Sequence, residues 1–436
     1  MLARSRTSLP SLPSLSSRGR RLPLAEARPE DRRHRPIYAV WELTLRCDLS
    51  CRHCGSRAGR ARPDELDLAE ALDLVDQLAE LGVKEVTLIG GEAYLYDGWL
   101  EVVRAIRRRS MVCTLTSGGR GITPELARAA ADAGVQSVSV SIDGGPETHD
   151  RLRGLEGAHR SALRALDALR QVDIPVALNT QVNRLNRGEL DEVFRVARDH
   201  GCHGWQVFLT VPMGRASDEP ELLLQPYDVL DLLPLLGELH TRCAREGIRL
   251  LPGNNVGYFG PQEHQLRDAL RAPSQASCSA GRTVIGVEAN GDIKGCPSLP
   301  TRDWVGGNVR DHRLEDIWER STALRYTRDR TVETHLWGYC RTCYYAEACM
   351  AGCTWTAHSL FGRPGNNPYC QHRALDLRSQ GLRERIVPVQ KAPGEAFDCG
   401  LWELVLESIP PDNVATASTP SDDPAALIEE NPQCLK

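Results

Sequence analysis

Cys47, Cys51 and Cys54 stand on one short stretch, Leu45-Arg46-Cys47-Asp48-Leu49-Ser50-Cys51-Arg52-His53-Cys54, with three and then two residues between the thiols. Thiolates this close in sequence can close around one metal centre. A 4Fe-4S cluster ordinarily takes four cysteine thiolates, so a loop that supplies three leaves one iron open to a further ligand. The same stretch also suits a structural zinc. Further along, Cys278 is followed by Gly291 and Cys296, then by Cys340-x2-Cys343-x5-Cys349-x3-Cys353, and Cys370 completes the series. Here too, Cys-x2-Cys pairs read either as cluster ligands or as zinc knuckles.

These residues need elements to hold them. Between residues 37 and 253, short β-branched runs alternate with helical periods, the pattern of repeated βα units and a parallel sheet. Strands are predicted at Ile37–Leu43, Glu85–Ile89, Val112–Thr116, Ser137–Ile142, Val176–Val182 and Trp205–Thr210. Helices are predicted at Leu66–Leu81, Trp99–Arg108, Thr123–Ala133, His159–Gln171, Glu189–His200 and Tyr227–Glu246. Six such units predict an α/β fold, a partial (β/α)6 TIM-like barrel over residues 37–260, with chemistry at the C-terminal strand ends. The Cys47 loop follows the first strand, and Gly90-Gly91-Glu92 follows the second. Thr116-Ser117-Gly118-Gly119 follows the third, and Ser139-Val140-Ser141-Ile142-Asp143-Gly144-Gly145 ends the fourth, with Arg153 twelve residues after Ser141. Read alone, Gly-Gly-Glu is a turn, Ser141 a strand-end hydroxyl and Arg153 a surface charge. Trp205 and Gln206 face either core or active site, and the Pro212-Met213-Gly214-Arg215 turn is placed for substrate contact. From about Ala272 to Arg373 the helical rhythm stops, which predicts a small Cys-rich domain organised by metal over residues 261–375, with a boundary near Pro261–Pro273.

A chain of 436 residues is long enough to bury its own core without a disulfide framework, yet it carries fifteen cysteines. Leu9–Leu15 is broken by Pro10 and Pro13 and cannot serve as a signal-peptide core, and no apolar run approaches a membrane span. A cysteine-rich chain of this kind belongs to a reducing cytoplasm, where thiols stay free for metal. Cys113 and Cys243 read as small buried hydrophobes. The formal charge of −5 gives no sign of nucleic-acid binding. Residues 1–36, rich in Arg18, Arg20, Arg21, Arg32, Arg33 and Arg35, read as a disordered basic arm or a transit peptide. Residues 376–436 read as a mobile acidic tail, with Leu401–Ile409 as one docking helix.

The Cys47 loop and Gly90-Gly91-Glu92, at successive strand ends, resemble the radical S-adenosylmethionine (SAM) superfamily. That resemblance implies SAM on the open iron and a 5'-deoxyadenosyl radical that abstracts hydrogen from the substrate. It also implies that Glu92 accepts from the methionyl amine, with the glycines admitting the ligand, that Ser141 contacts the ribose, and that Arg153 reaches the carboxylate. Relatives often show Thr-Asn-Gly where this chain has Thr116-Ser117-Gly118, so the Asn of that pattern is replaced by Ser117 here. The downstream cysteine order resembles the SPASM domain, which implies two auxiliary 4Fe-4S clusters and three in all. Its interleaved assignment gives Cys278, Cys296 and Cys353 to one, and Cys340, Cys343, Cys349 and Cys370 to the other. The first is then one ligand short, open to substrate or water, or completed by a distant residue such as Cys399. Members with two auxiliary clusters mostly modify ribosomally made peptides by cross-linking, epimerisation or oxidation. Tyr38–Thr44 and Cys54–Gly59 also resemble a subgroup that matures short peptides encoded nearby. The expected partners are such a peptide and a flavodoxin- or ferredoxin-type electron donor, with no nucleic acid and no membrane. The competing readings are a radical SAM enzyme for a small-molecule cofactor precursor and a zinc-organised scaffold.

Overall fold

Extended runs and capped helices alternate from residue 38 onward in a computed structural model that describes residues 22–267 and 278–410. Strands β1 (Tyr38–Thr44), β2 (Glu85–Gly90), β3 (Val112–Ser117), β4 (Ser137–Ser141), β5 (Val176–Val182) and β6 (Gly204–Leu209) lie side by side in chain order, all parallel. A seventh parallel strand, β7 (Arg249–Pro252), pairs with β6. Helices α1 (Leu68–Leu81), α2 (Trp99–Arg108), α3 (Pro124–Ala133), α4 (Pro146–Arg153), α5 (Ala158–Arg170) and α6 (Leu190–Asp199) fill the crossovers. Local chemistry sets their ends. Asp67 and Glu70 form a reciprocal capping box at the start of α1, which stops at Gly82 in the left-handed region (φ 97°). Thr123 caps α3 by accepting from Leu126 N.

The barrel is extended by the cysteine-rich domain. Its first strand, β8 (Val284–Val287), pairs in parallel with β1, matching Tyr38 with Val284 and Trp41 with Val287. Antiparallel β9 (Asp292–Lys294) and β10 (Gly307–Asn308) follow, giving a ten-stranded sheet in the order β10-β9-β8-β1-β2-β3-β4-β5-β6-β7. The six-unit expectation is therefore short by one strand inside the barrel, and the second domain shares the barrel's sheet.

Both expected tails are corrected where they are described. Residues 22–36 pack on the second domain: Ala25 N donates to Arg320 O (2.9 Å), and Asp31, fully buried, pairs with Arg28, Arg325 and Arg328. A basic run is ordered here because its acidic partners, and Asp31's basic ones, are supplied by the fold. The predicted docking helix is a strand, β12 (Leu401–Ser408), antiparallel to β11 (Leu382–Gln390), with Trp402 and Ile386 buried. Residues 1–21 and 411–436, with the Leu9–Leu15 run, the distal acidic stretch and Cys434, lie outside the described residues.

Candidate active site

The Cys47 loop leaves β1 and is fastened from several sides. Cys47 N donates to Gly59 O (3.1 Å), Gly59 N to Leu45 O (2.8 Å) and Arg52 N to Leu152 O (2.8 Å). Arg215 donates to Cys51 O (2.7 Å) and Ala58 O (3.0 Å). A Cβ on Gly214 (φ 56°) would lie 2.3 Å from Gly55 O and 2.4 Å from Cys54 O, so only glycine lets this turn come so close. The Pro212–Arg215 turn is therefore mainly a buttress of the cysteine loop.

Gly90 and Gly91 press the end of β2 onto the same loop. A Cβ on Gly90 would lie 2.2 Å from Thr44 O, and one on Gly91 2.0 Å from Arg46 O. The peptides meet there through Gly91 N to Thr44 O (2.8 Å) and Glu92 N to Arg46 O (2.7 Å). The glycines thus admit the protein's own backbone at this strand end. Glu92 is buried; its carboxylate accepts from Ser117 Oγ (2.6 Å) and Gly118 N (2.7 Å). Burial pushes it up to about 7 against those two donors. The ligand atoms of Cys47, Asp48 and Glu92 lie within 4.8 Å of one another. The loop after β3, lacking its expected Asn, thus holds Glu92, a role that sequence spacing did not reveal.

Ser141 ends β4 in register with Asn179 on β5. Arg153 is buried, its Nη2 2.5 Å from Asp143 Oδ2 and its Nη1 3.7 Å from Cys51 Sγ. Asp143 also lies 3.4 Å from His53 Nε2, and its backbone N donates to His149 Nδ1 (3.1 Å). Although burial opposes ionisation, the Arg153 guanidinium and His53 hold the Asp143 carboxyl well below the usual carboxylate range. Asp143 and His53 are members of the site that sequence reasoning missed. Their only signal was position, after a strand and inside the cysteine loop.

In the second domain the cysteines fall into two groups. Cys278, Cys296 and Cys353 gather beside Ala280, Leu299 and Trp304. Burial first, and then the neighbouring Cys278, push Cys296 up to about 12 and Cys353 to about 11. Cys340, Cys343, Cys349 and Cys370 line one apolar cavity of about 20 Å³ with Phe259, Tyr345 and His372. Tyr258 joins the groups: its hydroxyl accepts from Cys353 N (2.9 Å) and its carbonyl from Cys370 Sγ (3.7 Å). Cys399 is half-buried, and burial pushes its thiol up to about 12. Of the remaining candidates, Cys113, Cys202 and Cys243 are buried and belong to the core. So does Trp205, whose indole donates to Thr180 Oγ1 (2.9 Å), while Gln206 is exposed.

Between the Cys47 loop and the Cys296 loop lies a cavity of about 160 Å³. Glu42, His53 and Gln181 line it from the barrel, Pro297 and Trp355 from the second domain, and Phe397 from the C-terminal extension. The donor set fits a cluster with a polar ligand: three thiols share one loop, and His53 Nδ1, Arg153 Nε and Asn179 Oδ1 are buried with no hydrogen-bond partner among the described residues.

Residues 41–213 match the Radical SAM superfamily, and residues 278–344 match SPASM, an iron-sulfur cluster-binding domain. The AdoMet-dependent heme synthase of Methanosarcina barkeri (strain Fusaro / DSM 804) is 31% identical over 349 residues, 78% of this chain and 97% of that one. The chain belongs to the radical SAM superfamily. The PqqA peptide cyclase of Gluconobacter oxydans (strain 621H) is 30% identical to this radical SAM protein over 341 residues, 77% of the chain and 90% of that protein. Native anSMEcpe with bound AdoMet and Cp18Cys peptide superposes with a TM-score of 0.62 at 16% identity, over 78% of this chain and 95% of that one, a likeness of fold. The chain is therefore an enzyme of radical chemistry that uses S-adenosylmethionine and 4Fe-4S clusters, and the zinc scaffold is set aside. When bound, those groups supply the 5'-deoxyadenosyl radical. Among the described residues no helix is long and apolar enough to cross a membrane.

Proposed function

We propose that this radical SAM/SPASM enzyme modifies a ribosomally made peptide, by cross-linking, epimerisation or oxidation, one substrate side chain entering the cavity beside the Cys47 loop. The observation that carries the reading is that cavity, at about 160 Å³. Drug-sized ligands fill roughly 300–1,000 Å³, so the space suits one side chain of a larger molecule better than a whole macrocycle. Similarity to a PqqA peptide cyclase supports the same reading.

In this proposal Cys47, Cys51 and Cys54 hold the SAM-binding cluster. Cys278, Cys296 and Cys353 hold one auxiliary cluster, and Cys340, Cys343, Cys349 and Cys370 the other. Gly90 and Gly91 set the loop, Glu92 faces the methionyl amine, Ser141 the ribose, and Arg153 the carboxylate. His53 and Arg153 keep Asp143 ionised, so that Arg153 stays oriented toward the cysteine loop. The enzyme works in the cytoplasm, with a flavodoxin- or ferredoxin-type donor and a peptide encoded near its own gene.

The second reading, a small-molecule cofactor precursor such as a tetrapyrrole, is favoured by the heme synthase similarity. Anaerobic incubation of iron-loaded enzyme with SAM, dithionite and each adjacent peptide, in parallel with a porphyrin precursor, separates the two. A mass or stereochemical change confined to the peptide is expected. Turnover of the porphyrin alone refutes the proposal.

A further inference from the structure

We propose that Phe397 is a specificity-determining residue of this enzyme, held by residues 394–400 as the wall of the substrate cavity. It deepens the peptide reading and rests on it. The segment lies outside both family-matched stretches, in a region whose sequence reads as a mobile tail.

The structure fixes this segment at many points. Phe397 N donates to Gly55 O (3.1 Å), and Gly214 N to Asp398 O (2.8 Å). Arg57 Nε donates to Asp398 Oδ1 (2.9 Å), while Asp398 Oδ2 accepts from Gly394 N (2.5 Å) and Glu395 N (2.9 Å). Gly400 N donates to Ser217 Oγ (3.1 Å). The first two bonds reach the cysteine loop and the turn that buttresses it. Phe397 itself has φ 56°, a left-handed conformation that a side-chain-bearing residue keeps only where its surroundings over-determine it.

That conformation aims the ring inward. Phe397 is only 8% exposed and lines the cavity with Trp355, Met213, Glu42 and His53. Lys294 sits over the ring with Nζ 4.0 Å from its centre, and is tied in turn to Glu288 (2.6 Å). The ring is thus anchored to the second domain and its main chain to the first. An apolar side chain entering from solvent must pack on Phe397 and Trp355, so the ring decides the shape of what fits and excludes solutes when the cavity is filled.

The test is Phe397→Ala in the full-length, iron-loaded enzyme. With a synthetic copy of the adjacent peptide that the unaltered enzyme modifies, KM is expected to rise about tenfold. The ratio of deoxyadenosine to modified peptide should also rise, with kcat within threefold and iron per chain unchanged. KM and ratio both within twofold of the unaltered enzyme overturn the proposal. A second arm uses SAM and dithionite alone. An opened cavity is expected to raise deoxyadenosine formation at least threefold, and a rate within twofold overturns the proposal. If no adjacent peptide is modified by the unaltered enzyme, the peptide reading fails and the SAM-only arm still decides the role of Phe397. If Phe397→Ala loads iron poorly, Phe397→Leu is judged by the same criteria.

Discussion

Gly91→Ala is expected to damage the enzyme through distance alone. The added Cβ would sit 2.0 Å from Arg46 O and 2.5 Å from Arg46 C, and real Cβ atoms essentially never approach within 3.0 Å. The obstacle is backbone one residue before Cys47, so no side-chain rotation relieves it. The cysteine loop must move by about 1 Å or β2 must withdraw, breaking Gly91 N to Thr44 O and Glu92 N to Arg46 O. Overpacking of this kind costs about 1–3 kcal/mol, within reach of a folded domain. A misplacement of about 1 Å at a reacting site can cost about a hundredfold in rate. The assay is deoxyadenosine formation from SAM under dithionite, alongside iron per chain and a denaturation curve. Gly59→Ala is the control: the residue lies on the same loop, but its Cβ would meet nothing within 4 Å. Gly91→Ala should keep its fold and lose roughly two orders of magnitude in cleavage, while Gly59→Ala stays within threefold of the unaltered enzyme. Equal rates for the two variants would refute the claim that this close approach positions the loop.

Asp143→Asn leaves Arg153 buried beside Cys51 without its carboxylate and should cost about 3–5 kcal/mol in urea unfolding. Because the Asp143 carboxyl is depressed in the fold, its contribution is present above the ordinary carboxylate range and is lost only as pH falls below it, so this difference should be flat from pH 5 to 8. Glu42 behaves oppositely. Burial outweighs Arg62 and raises it from 4.5 to about 7, so its favourable contribution is complete below about 4.5 and disappears as pH rises through 7. Glu42→Gln should flatten that fall by up to about 3 kcal/mol between pH 5 and 8, measured by urea unfolding at both pH values. Cys349→Ser should lose roughly four of about twelve irons per chain, and Cys399→Ser none, by colorimetric iron analysis. A matching loss in Cys399→Ser would make that residue a cluster ligand.

What the sequence revealed was local. The runs from Glu85, Val112, Ser137 and Val176 carry enough β-branched residues to announce strands, and the cysteine intervals announced cluster chemistry. β7 escaped because four residues ending in Pro252 carry no usable period. β12 was read as a helix because Leu401, Leu404 and Val405 satisfy helical spacing as well as strand alternation, and only pairing with β11 decides between them. The order of residues 22–36 depends on Arg325 and Arg328, about 300 positions away in the chain. The role of Gly90 and Gly91 was legible as a need for glycine but not as to what approaches, since the Thr44 and Arg46 carbonyls become neighbours only once β1 and β2 pair. The same holds for Glu92, whose partners Ser117 and Gly118 lie on the next strand end.

The pairing of β8 with β1 explains how one cavity can be built from two domains. Tyr38–Trp41 and Val284–Val287 are hydrogen-bonded neighbours, and the next residue on each chain is a buried glutamate, Glu42 and Glu288. Arg62 lies between them, 3.4 Å from Glu42 and 2.8 Å from Glu288, and Lys294 meets Glu288 at 2.6 Å. Two carboxylates side by side would repel in a low-dielectric interior, and each would resist burial, unless cations were placed there. Each domain supplies a cation for its own glutamate, Arg62 for Glu42 and Lys294 for Glu288, and Arg62 also crosses to Glu288, so one shared ion pair ties the two domains together. Main-chain pairing sets the spacing between the Cys47 and Cys296 loops, and the shared charge set makes that spacing costly to change. A side-chain interface alone would allow the domains to drift, whereas a continuous sheet holds both walls of the cavity at one distance.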